Sequence, residues 1–356
     1  MGAKEQLAKF KKILDKELEK YLKGKVSEAA KISPYAKELM DHIYDLTLRG
    51  GKRIRAALLY YSYIAHGGKN KREAIKAAMS MELSETYLLI HDDIMDDDVL
   101  RRGGMTIHES YRLIAEDKFN GKTNSKDFGS ALGILAGDIS CAMSNEIISN
   151  CKFAANFKSR ALAELNKIYA VEGMGQALDI FSEIRDDVKK GDTIQIHELK
   201  TVPYTFDGPI KLGAMLAGAN DREIKRLERY SYPLGTAFQI QDDILGMFGS
   251  EEKVGKPVTS DLKEGKKTLL ILDALEKATP SQRDKILLNL GNKRVNIRGL
   301  ESVRKIIEQT GSLDYSKKLA SDLVKKATNA LNSMKLEKEG KDFMLKLADY
   351  MVKRDY

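Results

Sequence analysis

Apolar residues return at every third or fourth position along most of this chain, the spacing of one buried face of an α-helix. Between 71 and 97, Ala74, Ala77, Ala78, Met81, Tyr87, Leu88 and Ile94 keep one such stripe. The same period predicts helices over 127–151, 156–182 and 220–248. The six prolines, at 34, 203, 209, 233, 257 and 280, leave long stretches unbroken. Val and Ile alternating with polar residues between turn pairs are hard to find, so strands are expected to be few or absent and the fold all-α. Turn chemistry marks breaks at 66–70, 102–106, 119–127 and 189–193, and a further break after Lys200 and Thr201 at Pro203. A Gly- and Lys-rich stretch over 248–267 is predicted to be a long loop, which in a compact domain usually carries function. No repeat or low-complexity segment is visible.

Composition narrows the picture. The chain has 356 residues of which 42% are apolar, enough for a sizeable core, and residues 1–356 read as a single all-helical domain. Residues 1–25 read as an amphipathic surface helix rather than a signal sequence. Gln6 occupies the place where an N-myristoylation signal needs Ser or Thr. The densest apolar run, 56–65, is about half what a membrane span requires, so a soluble protein with no stable membrane anchor is expected. Two cysteines, Cys141 and Cys151, without CxxC spacing or a nearby His, predict neither disulfide nor zinc site and favour a reducing, cytoplasmic setting. The net charge of +8 suits an anionic ligand. The basic residues are scattered among glutamates and Trp is absent, which argues against nucleic acid.

The candidate chemistry begins at "HDDIMDDDVLRRGG", residues 91–104, where five of the seven residues from Asp92 to Asp98 are aspartate. On a helix, Asp92 and Asp96 stand one turn apart on one face with Asp93 beside them. Such a pair repels itself unless a hard cation intervenes, and Mg²⁺ takes one or two carboxylates and completes its shell with substrate phosphates. A solvated helix end is the bland alternative, and it is the reading for Asp97 and Asp98. A calcium loop fails on spacing, since Asp97 stands where Gly is required. Arg101 and Arg102 follow, planar cations suited to phosphate oxygens. The theme recurs at "FQIQDDILGMFG", 238–249, where Asp242 and Asp243 sit among Phe238, Ile240, Ile244 and Leu245. Carboxylates in such company are costly unless paired or metal-bound. Gln239 precedes Asp243 by one turn and could donate to a phosphate. Lys52 and Arg55 follow Gly50-Gly51 at a helix start, where an anion can approach backbone N–H groups. Lys200 and Thr201 complete the cationic set.

Together "GGKRIRA", "DDIMDDDVLRRG", "GQALDI", "LKT", "FQIQDDILG" and "GKPVTSDLKEGKKTLL" resemble, in order across roughly 45–270, the trans-prenyltransferases, or short-chain isoprenyl diphosphate synthases. The resemblance implies the isoprenoid synthase fold, a helical bundle around a central cavity, usually homodimeric. It also implies condensation of isopentenyl diphosphate with an allylic diphosphate. By this resemblance Asp92, Asp96 and Asp242 are ligands of three Mg²⁺ ions and part of the catalytic machinery with Lys200 and Arg101. Asp93 and Asp243, the further motif members, are counted with the metal ligands, and Asp261 reaches the third ion through water. Arg101, Lys200, Thr201, Gln239, Lys256 and Lys266 match the allylic-diphosphate positions, and Lys52, Arg55 and Arg102 those for isopentenyl diphosphate.

Two departures stand out. The family usually has His or Gln seven residues before the first Asp, touching isopentenyl diphosphate. Here it is Glu85, an anion that cannot take that role without a proton or a bridging cation. The second motif ends in Gly246 rather than a third Asp. Tyr87, five residues before Asp92, lies about 7.5 Å down the helix axis and is placed to act as a floor for the growing hydrocarbon; Leu88 is not aromatic. In this family that combination resembles the archaeal type of geranylgeranyl diphosphate synthase, with a twenty-carbon product; a farnesyl or longer product is the alternative. A class I terpene cyclase would need no second diphosphate site, and a non-catalytic subunit would typically have lost motif aspartates.

Overall fold

The computed structural model describes residues 2–119, 121–250 and 258–352. Helix α1 (Ala3–Ile32) buries Leu7, Phe10, Leu14, Leu18 and Leu22 along one stripe and leaves its lysines and glutamates outside. The Ser33 hydroxyl accepts from the Ala36 amide at 3.0 Å and Pro34 takes the first helical position of α2 (Pro34–Leu48). Helix α3 (Ile54–Ala65) is buried nearly all round. Helix α4 (Lys71–Met95), which Asn70 caps by accepting from the Glu73 amide, buries about half of its side chains. The helices predicted from the apolar period appear within a few residues of their expected ends: α4, α6 (Ser125–Asn150), α7 (Ala155–Ile184) and α10 (Asp221–Phe248). Between α4 and α6 lies α5 (Ile107–Lys118). Helix α4 packs on α3 and α6, and α10 packs along a later helix, Ser312–Asn332. One buried cluster runs from Leu7 to Met351.

Strands are few, as expected: among the described residues β1 (Leu100–Arg101) pairs antiparallel with β2 (Gly104–Met105), Arg101 opposite Gly104. Other expectations need correction. The acidic stretch is not helical throughout, because α4 ends at Met95 and Asp97 takes φ +56°, a conformation open to Asp at little cost. The break at 189–193 comes earlier, since α8 (Lys190–Ile196) starts inside it, Asp192 reaching back to the Lys189 amide at 2.9 Å. The long stretch after α10 contains a short helix, Ser260–Glu264, so it is not one continuous loop.

The predicted break at Pro203 is absent too. Helix α8 runs on through two π-type turns, His197–Thr201 and Pro203–Asp207, into α9 (Gly208–Leu216), with right-handed torsions at His197, Val202 and Gly208. A π turn is one residue wider than an α turn and so absorbs a proline that would otherwise clash with the preceding carbonyls. Helix α6 is long and apolar enough by composition to cross a bilayer, which the run-length reading missed, but it packs along α4 and α5.

Candidate active site

The Asp96 amide donates to the Asp92 carbonyl at 2.8 Å, so these two carboxylates do stand one turn apart at the end of α4. Asp93 points elsewhere. Its side chain is 1% exposed and accepts from Arg101 Nε at 2.6 Å, while Asp98 accepts from the same guanidinium at 2.8 Å. The hairpin after Asp97 folds Arg101 back under the helix, and Asp93 and Asp98 hold it there. Asp98 is therefore not a solvated helix end. Asp97 is exposed and pairs only loosely with Lys126 at 3.0 Å, as expected of one.

Arg102, at the hairpin tip, donates to Glu85 Oε1 at 2.5 Å, and Arg55 reaches the same oxygen at 3.1 Å. Arg55 also donates to Thr205 at 2.9 Å and lies over the Tyr204 ring, 4.2 Å from its centroid, a cation–π arrangement. The two arginines expected to bind one diphosphate are thus brought together, around the carboxylate that departs from the family pattern. Lys52 is exposed in the turn before α3, not within the helix. Its neighbour Arg53 is buried and paired with Glu82 at 2.6 Å and Asp15 at 2.8 Å.

Consecutive residues of the π turn join the two acidic motifs. Lys200 Nζ donates to Asp179 at 2.8 Å and lies 3.5 Å from Asp92. Thr201 donates to Gln239 at 2.9 Å, and Gln239 in turn donates to Asp243 at 2.9 Å. His197 is 3.3 Å from the other Asp243 oxygen. Consecutive helical residues point about 100° apart, so neighbouring side chains here serve different walls. Asp179, Lys200, Thr201, Gln239, Asp243 and Lys266 all line one cleft of about 110 Å³. Asp242 lies half-buried beside Asp243. Asp261, on the short helix Ser260–Glu264, lays its carboxylate against Gly246, where any Cβ would collide with it. The residue that replaces the third aspartate of the motif therefore leaves room for a carboxylate supplied from elsewhere in the chain.

Burial shapes the charges. Asp96 is pushed up to about 7 by burial and by the negative charge of Asp92. Glu172 of α7 is pushed up to about 7, mainly by burial, against the pull of Lys200. Burial opposes the charge of Lys200, yet Asp92 and Asp179 hold its amine above the usual lysine range. Among the described residues no three His, Cys, Asp or Glu converge as a ready-made metal cage. The donor set instead suits a hard cation that shares its shell with phosphate oxygens: Asp92 and Asp96 one turn apart on a half-buried helix end, beside amines and a guanidinium.

Tyr87 is half-buried on the same helix, its ring edge-on to His91 at 4.9 Å and to Tyr169 at 5.4 Å. The Tyr169 hydroxyl is fixed by Ser144 at 2.8 Å and Ser84 at 2.6 Å. His91 hydrogen-bonds the Ile134 carbonyl at 3.2 Å. Lys256 lies outside the described residues. Three participants were not singled out from sequence. Gln176 donates to Asp92 at 3.1 Å, Asp179 holds Lys200, and Tyr204 carries Arg55. The first two sit three residues apart on α7 inside "GQALDI", polar positions that the motif itself flagged. Gly175 lets the α7 backbone come against the backbone at Leu199 and Lys200. A larger groove, about 1550 Å³ between α10 and Ser312–Asn332, contains none of the acidic-motif residues.

Known proteins resemble this chain in sequence and fold. Residues 36–308 match the family model for polyprenyl synthetase. The chain is 34% identical to the geranylgeranyl diphosphate synthase of Sulfolobus acidocaldarius, covering 91% of this chain and 93% of that one. It is 33% identical to the geranylfarnesyl diphosphate synthase of Aeropyrum pernix, covering 86% and 91%. The solved geranylgeranyl pyrophosphate synthase of Corynebacterium glutamicum, complexed with isoprenyl diphosphate and magnesium, superposes with a TM-score of 0.91 at 28% identity, over 98% of this chain and 99% of that chain.

Proposed function

The chain belongs to the polyprenyl synthetase family, and on that premise we propose that it condenses isopentenyl diphosphate with dimethylallyl, geranyl and farnesyl diphosphates to make geranylgeranyl diphosphate. The observation that carries this reading is the pairing of Lys200 with Asp92 and of its neighbour Thr201 with Gln239, which ties both acidic motifs to one cleft. Asp92, Asp96 and Asp242, with Asp261 behind Gly246, would hold Mg²⁺, three ions in all. When bound, Mg²⁺ supplies charge neutralisation for the departing diphosphate.

The side chains divide the remaining work. Lys200, Thr201, Gln239, Lys266 and Arg101, with Lys256, bind the allylic diphosphate and stabilise the charge that builds on it as its carbon–oxygen bond breaks. Lys52, Arg55 and Arg102 hold isopentenyl diphosphate with its double bond facing the allylic cation. Attack forms the new carbon–carbon bond, and a proton then leaves to the released diphosphate. Asp93 and Asp98 keep Arg101 aimed, and Asp243 does the same for Gln239. Tyr87, backed by Tyr169, forms the floor that limits the chain at twenty carbons. The Aeropyrum relative is nearly as similar, so a twenty-five-carbon product is the second reading.

An exposed apolar face on α6 and α7, including Leu135, Met174, Phe181 and Ile184, supports a homodimer. The continuous core supports reading residues 1–356 as one domain. Free thiols at Cys141 and Cys151 support a cytoplasmic setting. Incubating the purified chain with Mg²⁺, labelled isopentenyl diphosphate and each allylic starter tests the reaction. Label in a twenty-carbon diphosphate is expected. No incorporation would overturn the proposal, and a product lacking diphosphate would mark a terpene cyclase instead.

A further inference from the structure

Glu85 is a single carboxylate shared by two guanidiniums. Its Oε1 accepts from Arg102 at 2.5 Å and lies 3.1 Å from Arg55, and its side chain is only 15% exposed. The three groups come from different parts of the fold: Arg55 from the first turn of α3, Glu85 from the middle of α4, Arg102 from the tip of the hairpin. Nothing local brings them together, so the triad is a product of the packing of α3 on α4. Burial alone would push the Glu85 carboxyl up, but Arg55 and Arg102 outweigh it and hold it below the usual carboxylate range. The carboxylate is therefore charged where a diphosphate is expected to bind. Arg55 Nε is buried and has no acceptor among the described residues, so this guanidinium keeps a donor in reserve for an incoming acceptor.

We propose that Glu85 is the specificity-determining counter-ion of the second diphosphate subsite, holding Arg55 and Arg102 in place in the free protein and weakening isopentenyl diphosphate in the complex. This rests on the reading that these arginines bind isopentenyl diphosphate. The two effects have one origin. Without ligand, a buried carboxylate offsets two neighbouring cations that would otherwise repel each other. With ligand, the same charge faces diphosphate oxygens across the shared guanidiniums, and like charges at such range in a half-buried site interact strongly. Glu85 touches the arginines rather than the reacting carbons, so it acts on binding of one substrate and not on the bond-making step.

The test is a pair of neutral replacements, Glu85→Gln and Glu85→His, with Glu85→Asp as the charge-conserving control. The neutral variants are expected to lower the KM for isopentenyl diphosphate about five- to fiftyfold. Their KM for farnesyl diphosphate and their kcat should stay within about threefold of wild type, and Glu85→Asp should stay near wild type throughout. Without ligand, Glu85→Gln should melt at lower temperature than wild type, yet gain more from added inorganic diphosphate. A purely structural residue would lower the melting temperature without tightening the ligand. If either neutral variant folds and its KM for isopentenyl diphosphate is unchanged or higher, the inference is wrong. Calorimetric titration of isopentenyl diphosphate alone compares the same variants without turnover. A wild-type protein that fails to incorporate label would sink the proposed function, while this titration would still decide the role of Glu85.

Discussion

Asp93 and Arg101 form a partly buried ion pair, 2.6 Å from carboxylate to Nε, although Asp93 is the immediate neighbour of Asp92 in an apparent metal motif. Adjacent residues on a helix point about 100° apart, so the two carboxylates serve different partners. Asp93→Asn is expected to raise the KM for the allylic diphosphate about tenfold by loosening Arg101, with Mg²⁺ dependence retained. Asp93→Ala should also destabilise the fold by about 2–3 kcal/mol, toward the low side for a broken buried pair because Asp98 remains. Steady-state kinetics at varied Mg²⁺, with denaturant melts, check both outcomes. A loss of Mg²⁺ affinity in Asp93→Asn would return this residue to the ligand set.

Asp92→Ala and Asp242→Ala should each reduce turnover by about a thousandfold or more, since both remove groups that act on the charge of the leaving diphosphate. The helical circular dichroism spectrum should stay intact. Chelation of the wild-type protein should abolish activity and Mg²⁺ should restore it. Near wild-type rates in either variant would exclude that carboxylate from the metal site.

Tyr87→Ala removes the ring that stands edge-on to Tyr169. The product should lengthen from twenty carbons to twenty-five or more, read by chromatography of the dephosphorylated alcohols. Tyr169→Phe deletes the hydroxyl bonds to Ser84 and Ser144 and is expected to broaden the distribution less. An unchanged profile in Tyr87→Ala would show that the chain-length limit lies elsewhere.

Glu172 provides a pH signature. Its carboxyl is pushed from 4.5 up to about 7, chiefly by burial. Between these values the unfolded chain gives up the proton while the folded protein keeps it, so stability falls as pH rises through this window. Glu172→Gln removes the effect. Its stability relative to wild type should rise by about 1–3 kcal/mol between pH 4 and pH 8 in metal-free buffer. Parallel curves for the two proteins would contradict this account.

Phe181 and Ile184 are 59% and 76% exposed near the end of α7. Replacing both with Glu should convert a dimer to monomer in sedimentation velocity. A wild-type protein that sediments as a monomer would remove the basis of the prediction.

The helices were legible because burial of one face imposes a period that survives without knowledge of any neighbour. Residues such as Ala74, Ala77, Ala78 and Met81 announce α4 by spacing alone, and all four are fully buried. Asp92 and Asp96 were equally legible as a pair, since a helix dictates which side chains stack one turn apart. Pro203 was misread because local propensity forbids a proline inside an α-helix, whereas the packed α8–α9 run accommodates it in widened turns.

What the sequence could not assign is which charge meets which. Asp98 looked like a solvated end until the hairpin carried Arg101 back to it. Gly246 stood out as a departure from a third Asp, and only the fold lays Asp261 against it. Glu85 looked like a lost contact, and only the packing of α3, α4 and the hairpin turns it into the anion between Arg55 and Arg102. Helix period is a property of neighbours along the chain, so the sequence by itself determined the helices and the acidic pairs. Ion pairing depends on distances of a few ångströms that no period along the chain encodes, and those the tertiary structure alone decided.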